Sequence, residues 1–261
     1  MSKPPNEAVW RALWTGEPPL PTHRKRRIYI HIPSEPRCRI CLAPFRGPGG
    51  WLMRLLGSRP SAKNPNYCSI CEETARTYPG GAEVELALLF ADLRGSTSLA
   101  EQMSPLEFKH KIDAFYAAAT ETLIDADAFI DKLVGDQVVG LFMRGMAGED
   151  YPQKAIRAAR NLVRLVAQKA GLPVGAGVHV GTAYVGTVEG TSGVERDIAA
   201  VGDVVNTTAR LASAAGPGEV LISDEAVAAA SFDVSGLEAR QLALKGKSQP
   251  FSVHVLPVAR A

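Results

Sequence analysis

The chain has 261 residues, 46% hydrophobic and 21% charged. These proportions are ordinary for a soluble globular protein, and the length allows one large domain or a medium domain with an appendage. No run approaches eighteen consecutive apolar residues, which excludes a spanning helix, and MSKPPNEAVW lacks the basic start and apolar core of a signal peptide, so a cytoplasmic location is expected.

The net charge of +2 conceals an asymmetry: residues 1–80 carry 13 Lys/Arg against 5 Asp/Glu, the remainder 16 against 22. Residues 1–37 are Pro-rich and basic, with one short apolar run at Ile28–Ile32, and read as an arm or linker. The cluster His23-Arg24-Lys25-Arg26-Arg27 could touch nucleic acid, an anionic membrane or an acidic face of the same protein, or simply stand in solvent.

Residues 38–80 form a second segment that holds all four cysteines, in the pairs Cys38/Cys41 and Cys68/Cys71 with 26 residues between them. A CxxC pair lets two thiolates reach one tetrahedral ion from a single turn, and two pairs complete a Cys₄ shell. Disulfides are disfavoured in a cytoplasmic protein, so the pattern predicts structural Zn²⁺, with a Cys₄ iron–sulfur cluster as the alternative. The intervening loop is too rich in Gly, Pro and Arg to bury a core and needs such a staple. Within it, Trp51–Leu56 is expected to pack on the following domain, a membrane surface being the other reading. The segment offers no readable recognition helix, so neither nucleic acid nor a membrane is the expected partner.

From Val84 the chain alternates strand and helix signals. Val84–Ala91 reads as a buried strand. Ser104-Pro105-Leu106-Glu107 starts a helix with a Ser cap, Pro at the first helical position and Glu three residues after the Ser. Phe108, Ile112, Phe115, Ala119 and Leu123 continue it as one apolar stripe. Phe129–Val134 and Gln137–Phe142 read as strands joined by a Gly135-Asp136 turn. A helix from about Pro152 to Ala170 buries Ala155, Ile156, Ala159, Leu162, Val163 and Val166, and Gly171 ends it. Val174–Val180 and Ala183–Val188 read as a strand pair around Gly181. A helix near Val204–Ala214, a strand at Val220–Ile222, a short helix near Asp224–Ala230 and a closing pair near Ala239–Leu244 and Phe251–Val255 follow. This order predicts an α+β fold with helices packed on one face of a sheet.

Two aspartates stand out. Asp92 in LLFADLRGST and Asp136 in DKLVGDQVVGLF each sit where an apolar strand breaks into a Gly-containing turn. Carboxylates brought together there by adjacent strands suit Mg²⁺ or Mn²⁺ bound to a polyphosphate. Asn206 and Arg210 lie four apart on a predicted helix and so project from one face.

FADLRGSTSLAE, DKLVGDQVVGLF, GAGVHVGTAYVG, VGDVVNTTARL, PGEVLIS and LKGKSQPFSVHVL follow one another in register. In this they resemble the class III nucleotidyl cyclase catalytic domain, the family of adenylyl and guanylyl cyclases, over about Glu85 to Leu256. The resemblance implies a ferredoxin-like domain at 84–257, with a mixed, mostly antiparallel sheet and helices. It implies a lyase converting a nucleoside triphosphate, ATP first, to a 3′,5′-cyclic nucleotide and pyrophosphate. Asp92 and Asp136 would be ligands of two Mg²⁺ or Mn²⁺ ions, Leu93, Arg94, Gly95 and Ser96 would meet the phosphates, and Asn206 and Arg210 would serve the ribose and the transition state. Lys245 would reach the phosphates from a loop, with Lys247 a possible substitute. Lys132 matches the lysine that accompanies adenine recognition.

Ala199 departs from the family. It stands three residues before Gly202, where Asp, Thr or Ser is usual, and offers no side-chain hydrogen bond; Asp197 could replace it across a bulge. GTP and pyrimidine nucleotides therefore stay open as substrates. His179 reads as structural. The family shares its sites between two domains, and this chain carries both residue sets once, so a head-to-tail homodimer is implied. A non-catalytic nucleotide sensor and a nucleic-acid-binding cysteine module are the competing readings.

Overall fold

The structure, a computed structural model, describes residues 6–17, 23–29, 31–32, 35–62, 65–188, 197–244 and 249–258. The chain forms two compact units.

The first unit comprises Met1–Val84, Met143–Gly148 and Tyr184–Val201. Where the sequence reads as an arm, EAVWRALWT folds into helix α1 (Glu7–Thr15). Trp10 and Trp14, four apart, fall on one face with ring centroids 5.5 Å apart, and both are buried. A buried indole needs a partner for its N–H. Trp14 Nε1 donates to Val185 O at 3.0 Å and Trp10 Nε1 to Tyr78 O at 3.3 Å. The flanking prolines masked this helix in the sequence reading.

Helix α2 (His23–Tyr29) follows, then α3 (Gly47–Leu55) and α4 (Ser69–Thr77), which flank the cysteine segment. The expected burial of Trp51–Leu56 is met by Met53 alone; Trp51, Leu52, Leu55 and Leu56 are exposed. The short helix α7 (Arg144–Ala147) packs on α1.

The second unit comprises Glu85–Phe142, Glu149–Ala183 and Gly202–Ala261. Its helices are α5 (Ser96–Glu101), α6 (Pro105–Asp125), α8 (Tyr151–Ala170), α9 (Asp203–Ala214) and α10 (Asp224–Ala230). The strands of the chain, of which β5 and parts of β1 and β4 fall in the first unit, are β1 (Gly81–Leu93), β2 (Phe129–Val134), β3 (Gln137–Phe142), β4 (Val174–Val188), β5 (Asp197–Val201), β6 (Glu219–Ser223), β7 (Glu238–Leu242) and β8 (Phe251–Pro257). Sheet order is β2-β3-β1-β4-β6-β8-β7, with β5 pairing the end of β4. The β4–β6 pair is parallel (Ala176 opposite Val220); β1–β3, β2–β3, β4–β5, β6–β8 and β7–β8 are antiparallel. This is an α+β fold with a mixed, mostly antiparallel sheet.

Local sequence explains the main elements. Ser104 caps α6: its Oγ accepts from the Glu107 N–H and the Glu107 side chain accepts from the Ser104 N–H. The predicted stripe of α8 is buried at all six positions. Leu211, Ala215, Leu221, Leu244, Val253 and Val255 form a core cluster between α9 and the β6–β8 sheet edge. One expectation fails in this unit. Gly181 makes no turn, and Val174–Val188 is a single strand. A Cβ at Gly181 would stand 3.0 Å from Val204 Cγ2, so this glycine serves a close helix approach rather than a chain reversal.

Candidate active site and cysteine centre

Register builds the aspartate pair. Asp92 is opposite Gln137 across β1–β3, and Val134 is opposite Gln137 across β2–β3, which leaves Gly135-Asp136 as a two-residue turn. Gly135 has φ 61°, the left-handed conformation such a turn requires. The Leu93 N–H donates to Asp136 O at 3.0 Å, locking the two strand ends together. Asp92 and Asp136 thus stand together at the adjoining ends of β1 and β3.

Each carboxylate is held by named partners. Asp92 is buried; its Oδ2 accepts from Arg94 Nη2 at 2.6 Å and from Gln137 Nε2 at 3.0 Å. Asp136 Oδ2 accepts from the Ser96 hydroxyl. Tyr116 of α6 donates to Gly135 O at 2.8 Å. Burial, and then the Asp136 charge, raise its phenol above the ordinary range. Gln137 and Tyr116 escaped the sequence reading. Gln137 was legible in principle, being the residue directly after the hairpin turn.

The segment after Asp92 is partly committed within the protein. The Leu93 N–H serves Asp136 O, and the Arg94 N–H donates to Pro173 O at 2.8 Å. The Arg94 guanidinium also donates to Ser213 O at 2.8 Å and Ala215 O at 3.5 Å, closing the end of α9. Of the four residues expected at the phosphates, Gly95 and Ser96 lie at the start of α5, where Gly95 has φ 71°.

Asn206 and Arg210 share a face of α9 opposite the buried Val204, Thr207, Thr208 and Leu211. Asn206 is exposed and Arg210 half-buried, and neither side chain has a hydrogen-bond or ion-pair partner among the described residues. Lys132 is exposed and sits opposite Val139, just past a bulge in β2. It lies two strands across and two residues along from Asp92, on the order of 12 Å between Cα atoms.

Ala199, in the first unit, is buried on β5 opposite Gly186. Lys245, Lys247 and the Asp197 side chain lie outside the described residues. His179 is buried; its Nδ1 is 2.8 Å from Ser223 Oγ, and its ring meets the Phe251 ring edge-on.

In the first unit the two CxxC pairs converge. Cys38 and Cys71 sulfurs are 3.9 Å apart, Cys41 and Cys68 sulfurs 3.7 Å, and all four lie within 4.8 Å of one another and are buried. A tetrahedral ion with metal–sulfur bonds of about 2.3 Å sets its sulfurs about 3.8 Å apart. The spacing therefore fits one ion better than a polynuclear cluster, whose several metals hold the ligands further apart. Backbone N–H groups of Cys41 and Cys68 point at Cys38 Sγ at 3.5 and 3.3 Å, a donor pattern suited to thiolate. Burial pushes the Cys38 thiol up, while hydrogen bonding from Cys38 and its neighbours holds Cys68 down.

Known proteins are similar to part of this chain. An adenylate cyclase of Anabaena cylindrica is 33% identical over 134 residues, 48% of this chain and 26% of that protein. An uncharacterised Mycobacterium tuberculosis protein is 30% identical over 183 residues, 68% of this chain and 34% of its own length. The chain thus spans about a quarter to a third of these curated relatives. Among solved structures, the guanylyl cyclase Cya2 covers 69% of the chain and 95% of its own, with TM-score 0.62 and 25% identity. The adenylyl cyclase CyaB from P. aeruginosa shares the fold over 69% of the chain and 97% of its own, with TM-score 0.58 and 24% identity. The profile of the adenylate and guanylate cyclase catalytic domain matches residues 82–256, two thirds of the sequence. The chain belongs to that family.

Proposed function

We propose that the protein is a nucleotidyl cyclase that converts a nucleoside triphosphate, ATP first, to its 3′,5′-cyclic monophosphate and pyrophosphate. The observation that carries this reading is the pair Asp92 and Asp136, both present and both oriented by hydrogen bonds at the adjoining ends of β1 and β3. These carboxylates would hold two Mg²⁺ or Mn²⁺ ions. When bound there, the ions would acidify the ribose 3′-hydroxyl and offset the triphosphate charge. The 3′-oxygen forms a bond to the α-phosphorus, the bond to the β-phosphate oxygen breaks, and pyrophosphate leaves as the hydroxyl proton passes to water.

The other residues divide the remaining work. Gly95 and Ser96 would donate backbone N–H groups to the phosphates. Asn206 would orient the ribose, and the planar guanidinium of Arg210 would donate to the charge that grows on the phosphate oxygens. Lys245 would approach the phosphates from its loop. By analogy with the cyclase family, the sites would be assembled from two chains, with Asp92 and Asp136 from one and Lys132, Asn206 and Arg210 from the other. A head-to-tail homodimer carries two such sites.

Lys132 favours adenine. Ala199, buried and without a side-chain donor or acceptor, supports a second reading in which GTP or a pyrimidine nucleotide is also used. The sulfur spacing of Cys38, Cys41, Cys68 and Cys71 supports a structural Zn²⁺ that would brace the first unit. Mass spectrometry of products from ATP, GTP, CTP and UTP with Mn²⁺ tests the reading, with Asp136→Ala as the blank. A cyclic nucleotide absent from the blank is expected. No product from a dimer loaded with zinc would reject cyclase activity for this chain.

A further inference from the structure

Helix α3 is inverted relative to an ordinary surface helix. Its buried side is narrow, made of Gly49, Gly50 and Met53, with the Gly50 Cα against the Phe45 backbone. Its outward side carries the larger apolar groups. Trp51 is 65% exposed, Leu52 43%, Leu55 65% and, one residue past the helix, Leu56 61%. The pairs 51/55 and 52/56 are each one turn apart, so the four side chains form one stripe. An exposed contiguous apolar patch of this kind marks a surface that meets something.

Charge identifies what it meets. Residues 36–71 contain Arg37, Arg39, Arg46, Arg54, Arg59 and Lys63 and no Asp or Glu at all. Arg46, Arg54 and Arg59 are exposed around the stripe. A Zn²⁺ held by four thiolates carries a formal charge of −2, which leaves the segment clearly cationic. Nucleic acid would use the cations but has no need of three outward leucines. A lipid surface uses both, since Trp and Leu enter the headgroup boundary while Arg stems lie along apolar surface with their heads in water. The geometry points to α3 as a docking face for an anionic membrane surface, with Trp51, Leu52, Leu55 and Leu56 inserted and Arg46, Arg54 and Arg59 on the headgroups. It is a reversible, peripheral contact: no described helix is long and apolar enough to cross a membrane, and one short stripe binds weakly until the cations add to it.

The full-length protein provides its own reporter. Trp10 and Trp14 are buried and Trp51 is exposed, so a blue shift of tryptophan emission on adding vesicles reports Trp51. Sedimentation with vesicles of phosphatidylglycerol and phosphatidylcholine, against phosphatidylcholine alone, measures binding. The expected result is a blue shift and binding to the anionic vesicles only, weakened by salt. A Trp51→Ser/Leu55→Ser variant with unchanged metal content should bind at least about tenfold less. Failure to bind anionic vesicles at low salt overturns the proposal, as does equal binding by the serine variant. Loss of dimer in that variant, without vesicle binding by the parent, would instead assign the stripe to contact between copies of the chain.

Discussion

Arg94 ties Asp92 to the end of α9. Its Nη2 is 2.6 Å from Asp92 Oδ2 while its Nη1 donates to Ser213 O at 2.8 Å. One side chain thus joins the strand that presents a proposed metal ligand to the helix that carries Asn206 and Arg210. Removing it leaves a largely buried carboxylate with a single donor, Gln137, and opens two helix-end carbonyls. Arg94→Ala should cost about 1–3 kcal/mol of stability and raise the Mn²⁺ concentration needed for half-maximal activity. Arg94→Lys should recover part of both, because an ammonium can reach Asp92 but not the two helix-end carbonyls as well. Denaturant titration and a metal titration of rate check this. An unchanged metal requirement in Arg94→Ala would show that Arg94 does not act through Asp92.

Glu219 and Arg240 give a pH-dependent signature. Arg240 donates from its two Nη atoms to the two carboxylate oxygens at 3.0 and 3.1 Å, and the Gly216 N–H adds a third bond at 2.7 Å. The Arg240 bonds chiefly hold the Glu219 carboxyl below its ordinary range. A carboxyl depressed on folding stabilises the protein above its unfolded pKa of about 4.3 and loses that contribution as pH falls through the folded value. Arg240→Gln should therefore lower stability near neutrality by about 1 kcal/mol, with the deficit closing below about pH 4. Denaturation midpoints on both sides of that pH decide it; a deficit equal at both would contradict the ion pair.

Trp14 tests whether α1 is integral to its unit. Trp14→Phe keeps the packing but leaves Val185 O without its donor, a loss of about 1 kcal/mol. Trp14→Ala should lose about 3–5 kcal/mol. Thermal melts of the full chain measure both, and no change in either would mean that α1 is a loose arm.

Metal content tests the cysteine centre. The protein as purified should hold about one zinc per chain, and Cys41→Ser should lose it. Since ligand binding and folding are linked, chelation should also lower amide protection in the first unit, including β5 at Ile198–Ala200. Full protection after chelation would show that the centre does not brace that unit.

Legibility in the sequence followed the range of the interactions. The strands flanking Asp136 were readable to the residue because the Gly135-Asp136 turn is fixed by its own two residues. The start of α6 was readable because Ser104 and Glu107 satisfy each other locally. The unbroken β4 was not, because Gly181 answers to Val204, which is distant in sequence. Helix α1 was not, because its warrant is the carbonyl of Val185, 171 residues away. At the site, the aspartates and the α9 pair were legible as motif text. The engagement of Leu93 and Arg94 with Asp136, Pro173 and Ser213 was not, since each partner is brought in by tertiary folding.

The most direct test of sites built from two chains is complementation. Asp92→Ala and Arg210→Ala are each inactive on their own by this account. Mixed in equal amounts under conditions that exchange subunits, they should recover about a quarter of parental activity, because half of the dimers are mixed and each mixed dimer has one intact site. Cyclic nucleotide formation by the mixture is the measurement. Recovery near that level supports shared sites; a mixture as inactive as its components, with heterodimers verified, would contradict them.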